Sequence, residues 1–316
     1  MLVKRCIQHM MAIDYEQILE TIYDDVKPLL TKGQVADYIP ELAHIAPDQF
    51  GMAVVTIQGD IFTIGAAETT FSIQSISKVF TLTMAMQLEG DALWQRVNRE
   101  PSGTAFNSLV QLEYEQGIPR NPFINAGALV ITDAILRYLP NAKQTVIDFL
   151  RTISSNPTID FDLAVAQSEQ ATGFRNAAMA NLLKSFGNLQ HEPDQVLSAY
   201  FYHCSIAMNC IDLARAGTYL ANGGICPWNS ARITDLSQTK YINSLMLTCG
   251  TYDEVGNFAY RVGLPGKSGV GGGILAVMPG EFSVCVWSPR LNKRGNSYAG
   301  IRALELFTTL TGISIF

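Results

Sequence analysis

The chain has 316 residues, of which 48% are hydrophobic and 16% are charged, and its formal net charge is −6. This composition provides enough apolar material for a large core and is unlike that of a disordered chain. The acidic balance, with no sizeable basic cluster, argues against nucleic acid as a partner. Charges interrupt the apolar runs well short of the roughly 20 residues that a membrane-spanning helix needs, so we expect no membrane association.

The N-terminus and the cysteines indicate the compartment. The first residues, MLVKRCIQHMMAID, lack the uninterrupted apolar stretch and the small-residue cleavage site of a signal peptide. The six cysteines include no CxxC pair, and most of them lie in apolar surroundings. Reduced, buried thiols fit this pattern better than a disulfide framework. We therefore expect a cytoplasmic protein.

The first part of the chain combines helical and strand patterns. Apolar residues recur at i, i+3, i+4 and i+7 along 15–30, which predicts an amphipathic helix. A second short element is expected at 37–45. The β-rich runs 52–58 and 61–66 are separated by Gly59-Asp60, which predicts a β-hairpin.

The middle of the chain is predicted to be mainly helical. The segment 75–89 is apolar almost all round, so we expect a central, buried helix. From about 91 to 221 no segment shows the alternation that is typical of a strand. The helices expected in this block are 125–138, 160–170, 176–186, 193–204 and 211–221.

The C-terminal third is predicted to return to strands. The runs 257–262, 273–279 and 281–287 are β-rich and lie between Gly and Pro turns. A last helix is predicted at 298–310. Strands from the two ends of the chain can then pair in one antiparallel sheet.

This order of elements predicts an α/β (α+β) fold, an antiparallel sheet flanked by helices. Residues 1–14 are interpreted as an N-terminal extension and 15–316 as a single domain. Its sheet-containing part covers about 15–90 and 222–316. A helical subdomain is inserted at about 91–221.

Ser75 and Lys78 form a Ser-x-x-Lys motif at the predicted start of the buried helix. Residues three apart lie on one helix face, with Cβ atoms roughly 5–6 Å apart, so the hydroxyl and the amine can meet. A neutral lysine accepts the serine proton and makes the hydroxyl a nucleophile toward an amide carbonyl. Burial and the positive end of the helix dipole lower the pKa of the lysine. Taken alone, the tetrapeptide is better explained as a capped helix with a snorkelling lysine.

A second motif, Gly266-Lys267-Ser268-Gly269, precedes the predicted strand 273–279. Serine β-lactamases and penicillin-binding proteins combine Ser-x-x-Lys with Lys-Thr-Gly, of which Lys267-Ser268-Gly269 is a close variant. Small residues there let a substrate approach main-chain N–H groups. A tight turn explains the motif about equally well.

The sequence offers no metal or nucleotide motif. HExxH and GxSxG are absent, and the Gly-Lys-Ser run lacks the first glycine of a P-loop. Four histidines lie in no ligand-spaced pair: His9, His44, His191 and His203. We expect neither a metal nor another cofactor.

Polar motifs in the helical block place amides and a carboxylate against apolar helices. They are Asn125, at the start of a helix, Gln167-Ser168-Glu169 and Arg175-Asn176. Each one alone is explained by a helix cap or a solvated turn. Together they indicate a polar pocket.

In these motifs the chain resembles the serine-dependent glutaminase family, from about residue 15 to about 312. The matching runs are Asp37-Tyr-Ile-Pro-Glu-Leu-Ala43, Gln74-Ser-Ile-Ser-Lys78, Glu100-Pro-Ser-Gly103, 121–127, Gln167-Ser-Glu169, Arg175-Asn176, Cys249-Gly-Thr-Tyr-Asp253 and Gly263-Leu-Pro-Gly-Lys-Ser-Gly-Val270. The resemblance implies a β-lactamase/DD-peptidase-like fold and hydrolysis of the side-chain amide of L-glutamine to L-glutamate and ammonia through an acyl-enzyme. It also implies a homodimer or homotetramer that needs no metal.

The resemblance further implies roles for matching residues. Ser75 would be the nucleophile and Lys78 the general base. Tyr38 and Tyr252 would line the site, with Tyr252 taking part in proton transfer. The main-chain N–H groups of Ser75 and Val270 would form the oxyanion hole. The amino-acid end of glutamine would be held by Asn125, Glu169, Asn176 and Tyr200.

Two alternative interpretations remain open. Another Ser-x-x-Lys enzyme, a β-lactamase or peptidase, would be expected to carry a Ser-Asp-Asn motif and a signal peptide, and neither is found. A non-catalytic amino-acid-binding or scaffold protein on the same fold is disfavoured because Ser75 and Lys78 are both intact. The choice between glutamine and asparagine also remains open.

Overall fold

The structure, a computed structural model, describes residues 13–103 and 105–316. Nearly all of the predicted N-terminal extension lies outside the described residues. The strands are β1 Gly51–Thr56, β2 Ile61–Gly65, β3 Phe71–Ser72, β4 Asp160–Phe161, β5 Ile206–Met208, β6 Gly266–Ser268, β7 Gly273–Met278 and β8 Phe282–Trp287. The helices are α1 Tyr15–Val26, α2 Ser77–Glu89, α3 Leu109–Tyr114, α4 Asn125–Tyr138, α5 Ala142–Ser154, α6 Leu163–Thr172, α7 Phe174–Ser185, α8 Pro193–Cys204, α9 Cys210–Ala221, α10 Leu236–Cys249, α11 Val255–Arg261 and α12 Tyr298–Thr311.

The central sheet has five strands in the order β2-β1-β8-β7-β6, and all neighbours are antiparallel. The predicted hairpin is confirmed, since β1 pairs with β2 from Gly51 opposite Gly65 to Val55 opposite Ile61. Because β1 also pairs with β8, strands from the two ends of the chain meet in one sheet. The predicted antiparallel sheet flanked by helices is therefore confirmed.

Helices cover both faces of this sheet. On one face, α1 and α12 pack against each other over an apolar cluster that includes Leu19, Ile22 and Phe307. On the other face, α9 packs against β1, β7 and β8. Gly217 permits this approach, because a Cβ there would lie 2.4 Å from Ser283 Oγ. The division into a sheet-containing part and a helical subdomain stays a prediction.

The predicted central helix is buried along most of its length. In α2, every residue from Ser77 to Met86 is buried, and the helix packs against α4. The α-helix begins two residues later than predicted, because Ser75 lies in a 3-10 turn that precedes it. Gln74, the first residue of this turn, has a φ of 49°, in the left-handed region that is uncommon outside glycine.

The strand predicted at 257–262 is wrong, since this segment belongs to the helix α11. Phe258 and Val262, four residues apart, are both buried in the same apolar cluster, as one face of a helix requires. The third C-terminal strand is instead β6, which covers the first three residues of the Gly266-Lys267-Ser268-Gly269 motif and pairs with β7.

A small second sheet, in the order β3-β5-β4, was not predicted. Its strands have only two or three residues, too few to show an alternating pattern. The helix predicted at 160–170 begins at Leu163 because β4 precedes it and the Asp162 side chain caps it. The helices α3, α5 and α10 were also not predicted. No helix in the described ranges has the length and apolar character needed to cross a membrane.

Candidate active site

Six of the predicted site residues line one small pocket at the start of α2. The pocket has a volume of about 100 Å³. Ser75 comes from the turn before α2, and the other residues come from four helices and from the loop after α1. The predicted residues that line it are Tyr38, Ser75, Asn125, Glu169, Asn176 and Tyr200. Lys78, Tyr252 and Val270 lie behind or beside it.

Lys78 is buried behind the pocket, with its side chain 5.8 Å from the centre of the Tyr200 ring. Its Nζ donates hydrogen bonds to the main-chain oxygen of Phe123 at 3.1 Å and to Asn125 Oδ1 at 2.7 Å. Burial lowers the pKa of Lys78 to about 8, although the charge of Glu169 opposes this shift. A substantial fraction of the amine is therefore neutral near pH 8, as a general base must be.

Asn125 is positioned by the loop that precedes α4. Asn121 Oδ1 accepts hydrogen bonds from the main-chain N–H groups of Phe123 and Ile124, which shapes the loop. Gly127 is required because a Cβ there would lie 1.9 Å from the main-chain oxygen of Asn121. Asn125 Nδ2 then donates to Asn176 Oδ1 at 2.9 Å. One side chain thus connects the lysine with the pocket amides.

Glu169 places a buried carboxylate in the pocket, on α6. Burial raises the pKa of Glu169 to about 7, while the Gln74 amide and the charge of Lys78 act in the opposite direction. Among the described residues, Glu169 Oε1 has no hydrogen-bond partner. A buried polar atom of this kind needs an explanation, and a cationic group of a ligand provides one.

Tyr252 lies behind Ser75, and its ring is 4.8 Å from that of Phe106. Its hydroxyl faces the hydroxyls of Ser75 and Ser268 and the main-chain N–H of Val270, and burial raises its pKa well above the ordinary value. Tyr252 has a φ of 57°, a left-handed conformation that is uncommon outside glycine. Such strain is typically found at functional sites.

The lysine-serine-glycine motif forms the edge strand β6 beside this site. Lys267 is fully buried, and its Nζ lies 4.8 Å from the centre of the Tyr252 ring and donates to the main-chain oxygen of Ser268 at 2.6 Å. Burial, together with the charge of Lys78, lowers the pKa of Lys267 well below its usual range. Gly269 is needed because a Cβ there would lie 2.5 Å from the main-chain oxygen of Ile73, next to the Ser75 turn.

Sequence reasoning assigned no site role to several further lining residues, among them Gln74, Phe106 and Cys204. Gln74 could have been found from its place beside Ser75. Phe106 lies in a loop without periodicity, and Cys204 is the last residue of a helix, so neither carried a signal. Within 13–103 and 105–316, no group of three His, Cys, Asp or Glu residues is placed to hold a metal ion.

The fold defines the class, a hydrolase that acts on amides and has the β-lactamase-like fold. A family model described as Glutaminase matches residues 33–316. A glutaminase of Ralstonia nicotianae is 59% identical over 304 residues, which cover 96% of this chain and 100% of the relative. The chain belongs to the glutaminase family.

Solved structures agree with this membership. The probable glutaminase ybaS superposes with a TM-score of 0.89 at 35% identity, over 96% of this chain and 99% of the other. A probable glutaminase from Bacillus subtilis, complexed with 6-diazo-5-oxo-L-norleucine, has a TM-score of 0.87 at 29% identity, over 97% and 99%. This chain therefore matches each of these proteins along nearly its whole length.

Proposed function

We propose that this protein hydrolyses the side-chain amide of L-glutamine to L-glutamate and ammonia. The observation that carries the proposal is the unpartnered Oε1 of Glu169, buried in a pocket that Ser75 also lines. A free amino acid has an ammonium that this oxygen can bind. The pocket of about 100 Å³ suits a small ligand. The compound bound to the Bacillus subtilis relative is itself an amino acid.

The amino-acid end of the substrate is held by groups on four helices. The Glu169 carboxylate pairs with the ammonium. Neutral donors suit the carboxylate of the substrate, and they are provided by Asn125, Asn176 and Tyr200. Tyr38, which is 56% exposed, lies at the mouth of the pocket. This arrangement leaves the side-chain amide of the substrate at Ser75.

The reaction proceeds through an acyl-enzyme. Lys78 accepts the proton of Ser75 as Oγ attacks the amide carbon, and the main-chain N–H groups of Ser75 and Val270 stabilise the oxyanion. The proton on Lys78 then passes through Tyr252 to the departing nitrogen, which leaves as ammonia, and Lys78 becomes neutral again. Water attacks the ester carbon as Lys78 takes its proton, the bond from this carbon to Ser75 Oγ breaks, and the proton returns from Lys78 to Oγ as L-glutamate leaves. No cofactor takes part.

The test is ammonia release from L-glutamine and from L-asparagine, together with labelling by 6-diazo-5-oxo-L-norleucine. We expect ammonia from L-glutamine and a covalent adduct on the peptide that contains Ser75. Ser75→Ala should lose both, while Ser244→Ala, at an exposed serine on α10, should lose neither. Full activity of folded Ser75→Ala, or hydrolysis of a chromogenic β-lactam without ammonia release, would refute the proposal.

The compartment and the assembly belong to the same proposal, namely a homodimer or homotetramer in the cytoplasm. Five described cysteines are free and buried, which suits a reducing compartment. Val110 and Tyr114, one turn apart on α3, are 81% and 88% exposed, an apolar surface that suits self-association. Sedimentation analysis of Tyr114→Lys and of the wild type tests this surface by measuring the mass of each assembly. Equal masses would exclude the surface from the interface.

A further inference from the structure

A groove of about 1110 Å³, here called the α10 groove, lies between the end of α9, the start of α10 and the turn that joins β7 to β8. Its lining is taken from the segments 220–225 and 232–247 and from Pro265, Pro279, Gly280 and Ile315. We propose that the α10 groove binds a small organic acid with an apolar, ring-containing body and one N–H or O–H donor. None of the residues proposed for the active site lines it, so the inference is independent of glutamine hydrolysis.

The walls of the α10 groove are fixed by contacts within the fold. The main-chain N–H of Gly280 donates to the main-chain oxygen of Ala221 at 2.8 Å, which ties the turn after β7 to the end of α9. The loop between α9 and α10 is closed by an antiparallel bridge between Ile225 and Arg232. The Asp235 side chain caps the start of α10. A concave site formed in this way costs a ligand little ordering of the protein.

A buried acceptor in the lining indicates the donor of the ligand. Asn243 is 7% exposed, and its Nδ2 donates to the main-chain oxygen of Leu220 at 3.0 Å. This bond fixes the orientation of the amide, because the opposite orientation would bring two oxygens together. Among the described residues, Asn243 Oδ1 has no hydrogen-bond partner. A buried acceptor without a donor is unfavourable, and an N–H or O–H of a ligand removes this penalty.

Much of the remaining wall is apolar, which indicates the body of the ligand. Leu220 and Ala221 are buried at the end of α9, and Leu236, at the start of α10, is 71% exposed. A ligand that covers these side chains removes apolar surface from water, which favours binding. The volume of about 1110 Å³ is close to the upper end, roughly 1,000 Å³, of small-molecule sites. A body of several rings therefore fits.

The charges at the rim select an acid. Arg232 and Lys240 are exposed there, and neither forms an ion pair with another described residue. Asp235 is the one acidic residue among the described residues of the lining, and its Oδ1 already accepts from the main-chain N–H of Gln238 at 2.7 Å. The rim is thus positively charged on a protein whose net charge is −6. An anionic group is attracted to it.

The experiment measures binding of two fluorescent probes to the full-length protein, 8-anilinonaphthalene-1-sulfonate and N-phenyl-1-naphthylamine. Both have the same rings and one N–H, but only the first carries an acid group. Lys240→Glu reverses a rim charge, Asn243→Leu removes the buried acceptor at similar volume, and Ser244→Trp narrows the groove at an exposed position. The matched control is Lys32→Glu, at an exposed lysine outside the groove. Thermal unfolding of each variant shows whether it folds.

We expect the wild type to bind one molecule of the sulfonate. Lys240→Glu should weaken binding of the sulfonate at least about fivefold and that of the uncharged probe less than about twofold, because only the sulfonate meets the reversed charge. Asn243→Leu should weaken both probes by about two- to tenfold, since both lose a hydrogen bond. Ser244→Trp should weaken both by at least about fivefold, and Lys32→Glu should change neither.

Three results would overturn the inference. They are a wild type that does not bind the sulfonate, a Lys240→Glu variant that changes both probes equally or no more than Lys32→Glu does, and unchanged affinities in Ser244→Trp. The last two variants are at exposed positions, so the test stands even if Asn243→Leu does not fold. Sedimentation of the wild type and of Ser244→Trp tests a different occupant. A smaller mass for the variant, with no probe bound by the wild type, would show that a second copy of the chain fills the groove.

Discussion

Lys78 Nζ donates to Asn125 Oδ1 at 2.7 Å, and the other end of the same amide donates to Asn176 at 2.9 Å. The proposed general base is thus hydrogen-bonded to one of the residues proposed to bind the substrate carboxylate. A substitution at Asn125 therefore affects both the general base and the binding of the substrate carboxylate. The proton affinity of Lys78 therefore depends on the residue at position 125.

Replacing Asn125 with aspartate tests this dependence. A carboxylate at hydrogen-bond distance stabilises the charged amine, so it should raise the pKa of Lys78 by about 1–3 units from about 8. Lys78 acts as a base only when neutral, so the acid limb of the kcat–pH profile should move to higher pH. Asn125→Ala removes an acceptor and should move the limb to lower pH. Asn176 is separated from Lys78 by Asn125. Asn176→Asp should therefore raise KM and should move the acid limb less than Asn125→Asp does. If the acid limbs of all three variants coincided with that of the wild type, the pKa of Lys78 would not depend on position 125.

Lys78 should also make the stability of the protein depend on pH. Its pKa is about 8 in the folded chain, against a usual value of 10.5. Between these values the unfolded chain binds more protons, so the free energy of unfolding rises as pH increases through this window. Below about pH 8 both states are protonated and this contribution is constant.

The comparison with Lys78→Met isolates this effect. The difference in unfolding free energy, wild type minus variant, should rise by on the order of 3 kcal/mol from about pH 8 to pH 10.5. Urea unfolding at matched pH values measures it. A difference that stays flat over this window would show that burial does not lower the pKa of Lys78.

These consequences could not be drawn from the sequence, although much of the framework could. The helix at Asn125–Tyr138 was predicted with its observed bounds, because its apolar residues and its polar first residue are adjacent in the chain. The segment 257–262 was mistaken for a strand because six apolar-rich residues fit either period. The choice between helix and strand is decided by the packing of Phe258 in the apolar core, which the sequence alone does not show.

The candidate site, too, could be predicted only in part from the sequence. Ser75 and Lys78 carry a local motif, and Glu169 and Asn176 lie in polar runs, so a linear pattern points to each of them. The hydrogen bond from Lys78 to Asn125 joins residues 47 positions apart. The position of Phe106 in the wall of the pocket depends on a loop without periodicity. Neither relationship has a trace in the spacing of residues, because both arise only when separate elements pack together.

Glu169 should make substrate binding depend on pH. Its pKa is raised by burial to about 7, and only the ionised carboxylate can pair with an ammonium. As pH falls through about 7 the carboxylate is protonated, so KM for L-glutamine should rise. In Glu169→Gln, KM should be high at every pH and should lose this dependence. Steady-state kinetics from pH 5.5 to 8.5 measures both, and a variant whose KM equals that of the wild type would remove Glu169 from the ammonium site.

The Tyr252 hydroxyl should contribute to the chemical step rather than to substrate binding. It faces Ser75 and Ser268 in a buried site, and burial keeps it protonated, so it can donate a proton to the departing nitrogen. Tyr252→Phe keeps the ring that packs at 4.8 Å from Phe106, so the fold should survive. Loss of a positioned proton donor should lower kcat by about 10²–10⁴-fold with little change in KM.

A matched control for this variant is Tyr219→Phe. Tyr219 is also buried, and its hydroxyl lies 2.6 Å from Thr83 Oγ1, away from the pocket. Removing that hydrogen bond should cost about 1 kcal/mol of stability and leave kcat unchanged. Thermal unfolding and steady-state kinetics on both variants separate the two effects. If Tyr252→Phe lost only stability, or raised only KM, the hydroxyl would have no part in proton transfer, and Lys78 alone would have to supply the proton to the leaving ammonia.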